Sequence, residues 1–218
     1  MVDLQIARAG IMVLGGFHPP EQDAPEVPDG VATLMLIGWA GPAPWALFAA
    51  SAEMADGAPD PLDRWTRRIV DALAQEFGAR ALYPFGGPPW QPFQAWALAA
   101  GIAHKSPIGL LIHPRYGLWH NYRAALGFPT AVTLPPREAA SSPCDTCATQ
   151  PCLSACPVDA FSATGFAVDA CRTHVRGAGS PCRDNGCLAR DACPVGRQWR
   201  YSPEQVAFHQ RAFLGPAL

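Results

Sequence analysis

Eight cysteines, all between positions 144 and 193 of a 218-residue chain, are the side chains best suited to chemistry. The first four form Cys144-x2-Cys147-x4-Cys152-x3-Cys156-Pro157, and the rest are Cys171 and then Cys182-x4-Cys187-x5-Cys193-Pro194. Thiols this crowded have three uses. Disulfides suit small secreted scaffolds, whereas here residues 1 to 143 hold no cysteine and the chain opens MVDLQIARAG, unlike a secretory signal. Structural zinc asks for two tetrahedral sites, usually built from paired CxxC knuckles, and only one CxxC is present. Two [4Fe–4S] clusters need eight thiolates and match a run ending in x3-Cys-Pro. Three thiolates on a tight loop cap one face of a cubane, and the fourth arrives from elsewhere in the chain. The spacing therefore predicts two [4Fe–4S] clusters with all eight cysteines as metal ligands.

In two-cluster ferredoxins the last cysteine of each run ligates the other cluster. Applied here, Cys144, Cys147 and Cys152 join Cys193, while Cys156 crosses to Cys171, Cys182 and Cys187. The pattern departs from the bacterial spacing in the x4 of the first run and the x5 before Cys193.

The elements that must hold these residues read as an α+β protein in three parts. Residues 1–139 form an α/β domain for docking or ligand binding, residues 140–200 a small, loop-rich double-cluster domain, and residues 201–218 a C-terminal helix packing back on the first domain. AGIMVLGGF (9 to 17) and VATLMLIGWA (31 to 40) are apolar runs of strand length. DPLDRWTRRIVDALAQEFG (60 to 78) places Leu62, Trp65, Ile69, Leu73 and Phe77 at helical spacing before a terminal glycine. ALYPFG (81 to 86), PIGLLIHP (107 to 114) and TAVTLP (130 to 135) read as strands, and FQAWALAAG (93 to 101) as a helix. TLPPREAASSP (133 to 143) reads as the connector. In the cysteine-rich part FSATGFAV (161 to 168) reads as a hairpin turning at Thr164-Gly165, with short helices around 152–156 and 187–193. Ser202 and Glu204 cap a helix over 201 to 214.

The double-cluster arrangement, an isolated cysteine after a hairpin followed by a second run ending in Cys-Pro, resembles the cluster domain of epoxyqueuosine reductases and of the corrinoid-dependent reductive dehalogenases. AGIAHKSPIGLLIHPRYGLW (100 to 119) is similar to the segment those reductases place near the corrinoid, and PFGGPPWQPFQAWALAAG (84 to 101) to their Pro/Phe-led loop and helix. The resemblance implies an electron-transfer module and a corrinoid or flavin as a further cofactor. Their proton-donating acid is absent, since Gly86-Gly87-Pro88-Pro89 stands in that loop, so their reaction does not carry over.

The function expected from this reading is ferredoxin-like electron transfer by an iron–sulfur protein. The alternative is a corrinoid- or flavin-dependent reductase fed by the clusters; if the chain is an enzyme, it is an oxidoreductase. Its partners are then a redox protein, and a small-molecule ligand if the first domain binds one. Six arginines among the cysteines, Arg172, Arg176, Arg183, Arg190, Arg197 and Arg200, either dock an acidic partner or form a mixed surface. Trp90, Trp96, Trp119 and Phe85 either floor a flat cofactor or pack the core. His113 and His120 either ligate cobalt or bond to nearby backbone. A net charge of −2 gives no basic footprint for nucleic acid. No run reaches the roughly 18 apolar residues of a membrane span, and reduced thiols point to the cytoplasm.

Overall fold

A computed structural model of the chain describes residues 10–19, 25–134, 136 and 141–215. The fold is α+β, and it divides into two compact units: Met1–Ala103 with His120–Ala140, and His104–Trp119 with Ser141–Leu218. The expected boundary at 139/140 lies outside the described residues.

The first unit is built on a four-stranded antiparallel sheet. β1 (Met12–Phe17) pairs with β2 (Thr33–Ala40), β2 with β6 (His120–Phe128), and β6 with β3 (Arg80–Leu82). Every residue of β2 is buried, as the unbroken run TLMLIGWA requires of a central strand. Two short helices, α1 (Trp45–Ala49) and α2 (Ala52–Ala55), lead into α3 (Pro61–Phe77). The helical stripe buries Leu62, Trp65, Val70 and Leu73. Trp65 meets the edges of Trp39 and Phe48, each with ring centroids 5.7 Å away. This aromatic knot joins α1 and α3 to the sheet. α4 (Phe93–Ala99) packs on β1.

TAVTLP is not a strand: in its described residues it is irregular, held where the Thr33 hydroxyl donates to Thr130 O and accepts from Val132 N–H, both at 3.1 Å. The missed strand is β6. Its first half, HNYR, is polar, and AAL is a helix-favouring run, yet residues 124 to 128 are buried in the sheet.

In the second unit, β4 (His104–Lys105) and β5 (Leu111–Ile112) form a small hairpin. PIGLLIHP therefore supplies two strand residues rather than a full strand. Pro107 and Gly109 shape a turn in which Ser106 N–H donates to Leu110 O at 3.1 Å. The cysteine-rich segment folds as short pieces: α5 (Pro151–Ser154), the hairpin β7 (Phe161–Ser162) and β8 (Gly165–Phe166), α6 (Val168–Arg176), α7 (Pro181–Asn185) and α8 (Leu188–Asp191). Pairing of Ser162 with Gly165 puts Ala163-Thr164 at the turn. α9 (Pro203–Leu214) begins where Ser202 Oγ accepts from Gln205 N–H. It packs on α6 and α7, within the second unit. Among the described residues no helix is long and apolar enough to cross a membrane.

Candidate functional site

The cysteines converge on two cavities within the second unit. Cys144, Cys147, Cys152 and Cys193 line one of about 20 Å³, room for a single water. Cys156, Cys171, Cys182 and Cys187 line another of about 360 Å³, together with Phe161, Phe166, Phe213 and His174. The crossing has a packing cause. α5 carries Cys152 and ends just before Cys156, α8 runs from Cys187 to just before Cys193, and α5 packs against α8. The apolar residues Ile108, Ile112, Leu118 and Ala189 cluster with Cys193, and Cys144 and Cys152 pack against them. Cys171 lies on α6 and Cys182 on α7, so the second quartet closes where those helices meet.

Burial drives thiol chemistry toward the neutral form. It pushes Cys171 up to about 11, with Cys187, Cys156 and Cys182 adding to the rise. Cys144, Cys152, Cys187 and Cys193 also move up, chiefly through burial.

The arginines are not a free patch. Arg183 donates to Val175 O at 3.2 Å and to Arg176 O, closing the end of α6. Arg172 and Arg176 do the same for α9, donating to Phe213 O at 3.2 Å and Leu214 O at 2.9 Å. These are helix-end carbonyls that lack a partner in the helix. Arg190 gives two N–H groups to Leu118 O, at 3.0 and 2.5 Å, and stacks on Trp119 and Tyr201 at 4.4 and 4.5 Å. Arg200 pairs with Asp191 at 2.7 Å.

His113 is committed to the backbone. Its Nδ1 accepts from Arg115 N–H at 3.0 Å and Tyr116 N–H at 3.4 Å, which places the ring proton on Nε2. A neutral imidazole held this way offers no lone pair to cobalt. Burial, then Arg115 and His104, lowers its pKa from 6.5 to about 4. The unfolded chain thus takes up this proton near pH 6.5 and the folded chain only near 4, so the second unit loses stability as pH falls through that window. Asn at 113 still accepts from the amide two residues on but does not titrate. Urea unfolding of His113→Asn near pH 7 and pH 5 is expected to show a smaller loss than the wild type; an equal loss would assign the dependence to other groups.

Of the four aromatic candidates, Trp96 is fully buried and donates to Glu26 O at 2.9 Å, and Trp119 packs edge-on against Tyr201. Phe85 is half-buried, and Trp90 is 66% exposed. In the first unit, sequence reasoning passed over Tyr122. Its buried hydroxyl has no hydrogen-bond partner among the described residues, and its ring lies 5.4 Å from that of His120.

No family model and no curated protein matches this sequence. A solved structure does. The chain is similar to a B12-trafficking protein from C. elegans, CblC, described as a homologue of human MMACHC. The match has a TM-score of 0.56 at 18% identity and covers 97% of this chain and 90% of the other.

That likeness corrects the ferredoxin-like reading and the resemblance to epoxyqueuosine reductase cluster domains. The fold matched is that of a B12-trafficking protein and not of an iron–sulfur domain, and no group of three or more His, Cys, Asp or Glu among the described residues stands where it could hold a metal ion. Two [4Fe–4S] clusters and iron–sulfur electron transfer are therefore not supported. The repeated Cys-Pro has a plainer cause: each follows a short helix, and a residue before proline is steered away from helical geometry.

Proposed function

We propose that this protein binds and handles a corrinoid. The observation that carries the reading is the fold likeness to a B12-trafficking protein over 97% of the chain. The residues present fit a corrinoid in one respect and limit it in two others. Tyr122 offers a buried hydroxyl donor without an acceptor among the described residues, a cost that a polar ligand would relieve. His113 supplies no cobalt ligand, because its Nδ1 is used and its Nε2 is protonated. The two thiol cavities are too small for the macrocycle, the larger being about 360 Å³. A bound corrinoid supplies a cobalt centre that exchanges ligands and electrons, and a redox partner protein would deliver those electrons.

The eight cysteines enter as two thiol quartets: Cys144, Cys147, Cys152 and Cys193, and Cys156, Cys171, Cys182 and Cys187. We assign them as ligands for a thiophilic metal. Each quartet lines its own cavity. Because no three of them stand where they could hold a metal ion as placed, a metal would draw the thiols inward.

One preparation tests both parts. Protein purified without oxygen and titrated with hydroxocobalamin is expected to bind one equivalent with a shift of the corrin bands. Loss of one hydrogen bond, about 1 kcal/mol, makes Tyr122→Phe bind about fivefold more weakly. Metal analysis before titration should find thiol-bound metal that falls in Cys156→Ser and in Cys193→Ser. Unshifted corrin bands would end the corrinoid reading; metal-free wild-type protein would end the ligand assignment.

A further inference from the structure

The two thiol quartets differ in the space they enclose. Cys144, Cys147, Cys152 and Cys193 surround room for one water, as a closed four-ligand site does. Cys156, Cys171, Cys182 and Cys187 border about 360 Å³, far more than a bare ion fills. An apolar cavity of about 150 Å³ already takes a benzene ring.

Much of the remaining wall is apolar. Phe161 and Phe166 of the β7–β8 hairpin stack at 5.0 Å and 12°, and Phe166 meets Phe213 of α9 at 6.4 Å and 28°. Leu110 and Phe166, 43% and 39% exposed, bring the lining to the surface, so a ligand enters past apolar side chains. Gln210 fixes α9 against the thiols by donating to Cys182 O at 2.5 Å. His174 lines the same cavity, and its buried Nε2 has no hydrogen-bond partner among the described residues. An apolar pocket with one unmet polar group is the usual form of a small-molecule site. The four sulfurs come from the loop after α5, from α6, from α7 and from the residue before α8, and no three stand where they could hold a metal ion as placed. A centre that asks for only two thiols and keeps an organic group of its own suits this cavity better than a bare ion.

We infer that the second cavity binds a small thiophilic electrophile carrying an apolar organic group, of the class of the monosubstituted arsenic(III) oxides. Two of its thiols condense with R–As=O: two S–H bonds break, two As–S bonds form, and the oxygen leaves with both protons as water. Arsenic stays trivalent, so the step needs no oxidant or reductant. Soft thiolates favour such a centre, and the organic group lies against Phe166 and its neighbours. This rests on the ligand role given above to the thiols, and adds the organic group and the choice of quartet.

Phenylarsine oxide and methylarsine oxide are the probes, since they share the arsenic and differ in the organic group. Full-length protein is purified without oxygen, its metal is measured, and a chelator then removes it. Wild type is expected to take up one phenylarsine per chain, about tenfold more tightly than methylarsine. Alkylation with iodoacetamide and peptide mass analysis should find the protected pair among Cys156, Cys171, Cys182 and Cys187, although the most closely spaced pair, Cys144-x2-Cys147, lies in the other quartet. Phe166→Ala should bind phenylarsine about fivefold more weakly and methylarsine unchanged. Unaltered melting and far-ultraviolet dichroism establish that this variant is folded; if it is not, the wild-type preference and protection pattern decide. Uptake of neither probe, equal affinity for the two, protection in the Cys144 quartet, or full preference in folded Phe166→Ala would overturn the inference. Metal in the wild type without arsenical uptake overturns this inference alone, whereas uptake by protein isolated free of metal ends only the resident-metal assignment.

Discussion

Replacing Gly196 by Ala is expected to unfold the second unit while the first melts unchanged. A Cβ at this position would lie 2.4 Å from the carbonyl carbon of Tyr116, 2.5 Å from its oxygen and 2.7 Å from Gly117 N. The reciprocal holds, since a Cβ on Gly117 would lie 2.0 Å from Val195 O. Two backbones cross at a pair of glycines, each with positive φ, and backbone atoms cannot rotate away as a side-chain tip can. This crossing seats the 104–119 hairpin beside Cys193 and its quartet. Left-handed geometry alone costs a non-glycine residue about 1–2 kcal/mol; displacing backbone as well takes the total beyond ~4 kcal/mol. Gly179 separates the two causes. Its φ is +71, the same as that of Gly196, but a Cβ there meets nothing within 4 Å, so Gly179→Ala should lose only about 1–2 kcal/mol. Denaturant unfolding followed by Trp119 and Trp199 fluorescence, with the other tryptophans replaced by Phe, reads both. Equal losses in the two variants would show that the crossing carries no special stability.

Arg190→Ala ranks second. The guanidinium gives two N–H groups to Leu118 O and lies over the Trp119 and Tyr201 rings. Charged hydrogen bonds contribute about 1.5–3 kcal/mol and a cation over a ring about 0.5–2. Allowing for water that reaches the carbonyl once the side chain is gone, the expected loss is about 2–4 kcal/mol. Lys at 190 keeps the charge and one bond but not the planar fork, so it should recover less than half. A melting curve within a degree of wild type for Arg190→Ala would contradict the assignment.

These arginines also show where sequence reading stopped. Six of them among the cysteines read equally well as a docking patch or as mixed surface, because composition carries no information on which carbonyls end unpaired. The structure spends four on such carbonyls: Arg183 at the end of α6, Arg172 and Arg176 at the end of α9, and Arg190 at Leu118. Periodicity did reveal α3 and both outer runs of the β1–β2 pair, since one apolar stripe or one apolar run decides each. β6 escaped because its polar first half and its Ala-Ala-Leu run carry neither signal cleanly. The grouping of the eight cysteines followed from a spacing rule, and the structure gathers the same two quartets. What the rule could not supply was the fold around them. The likeness to a B12-trafficking protein lies in three-dimensional arrangement at 18% identity, below what local motifs reveal.

Corrinoid binding is read by co-elution. Anaerobic protein mixed with hydroxocobalamin is passed over a sizing column, and cobalt and protein are measured in each fraction. Cobalt is expected to travel with the protein at about one per chain. Protein that emerges free of cobalt at micromolar concentrations of both would contradict it.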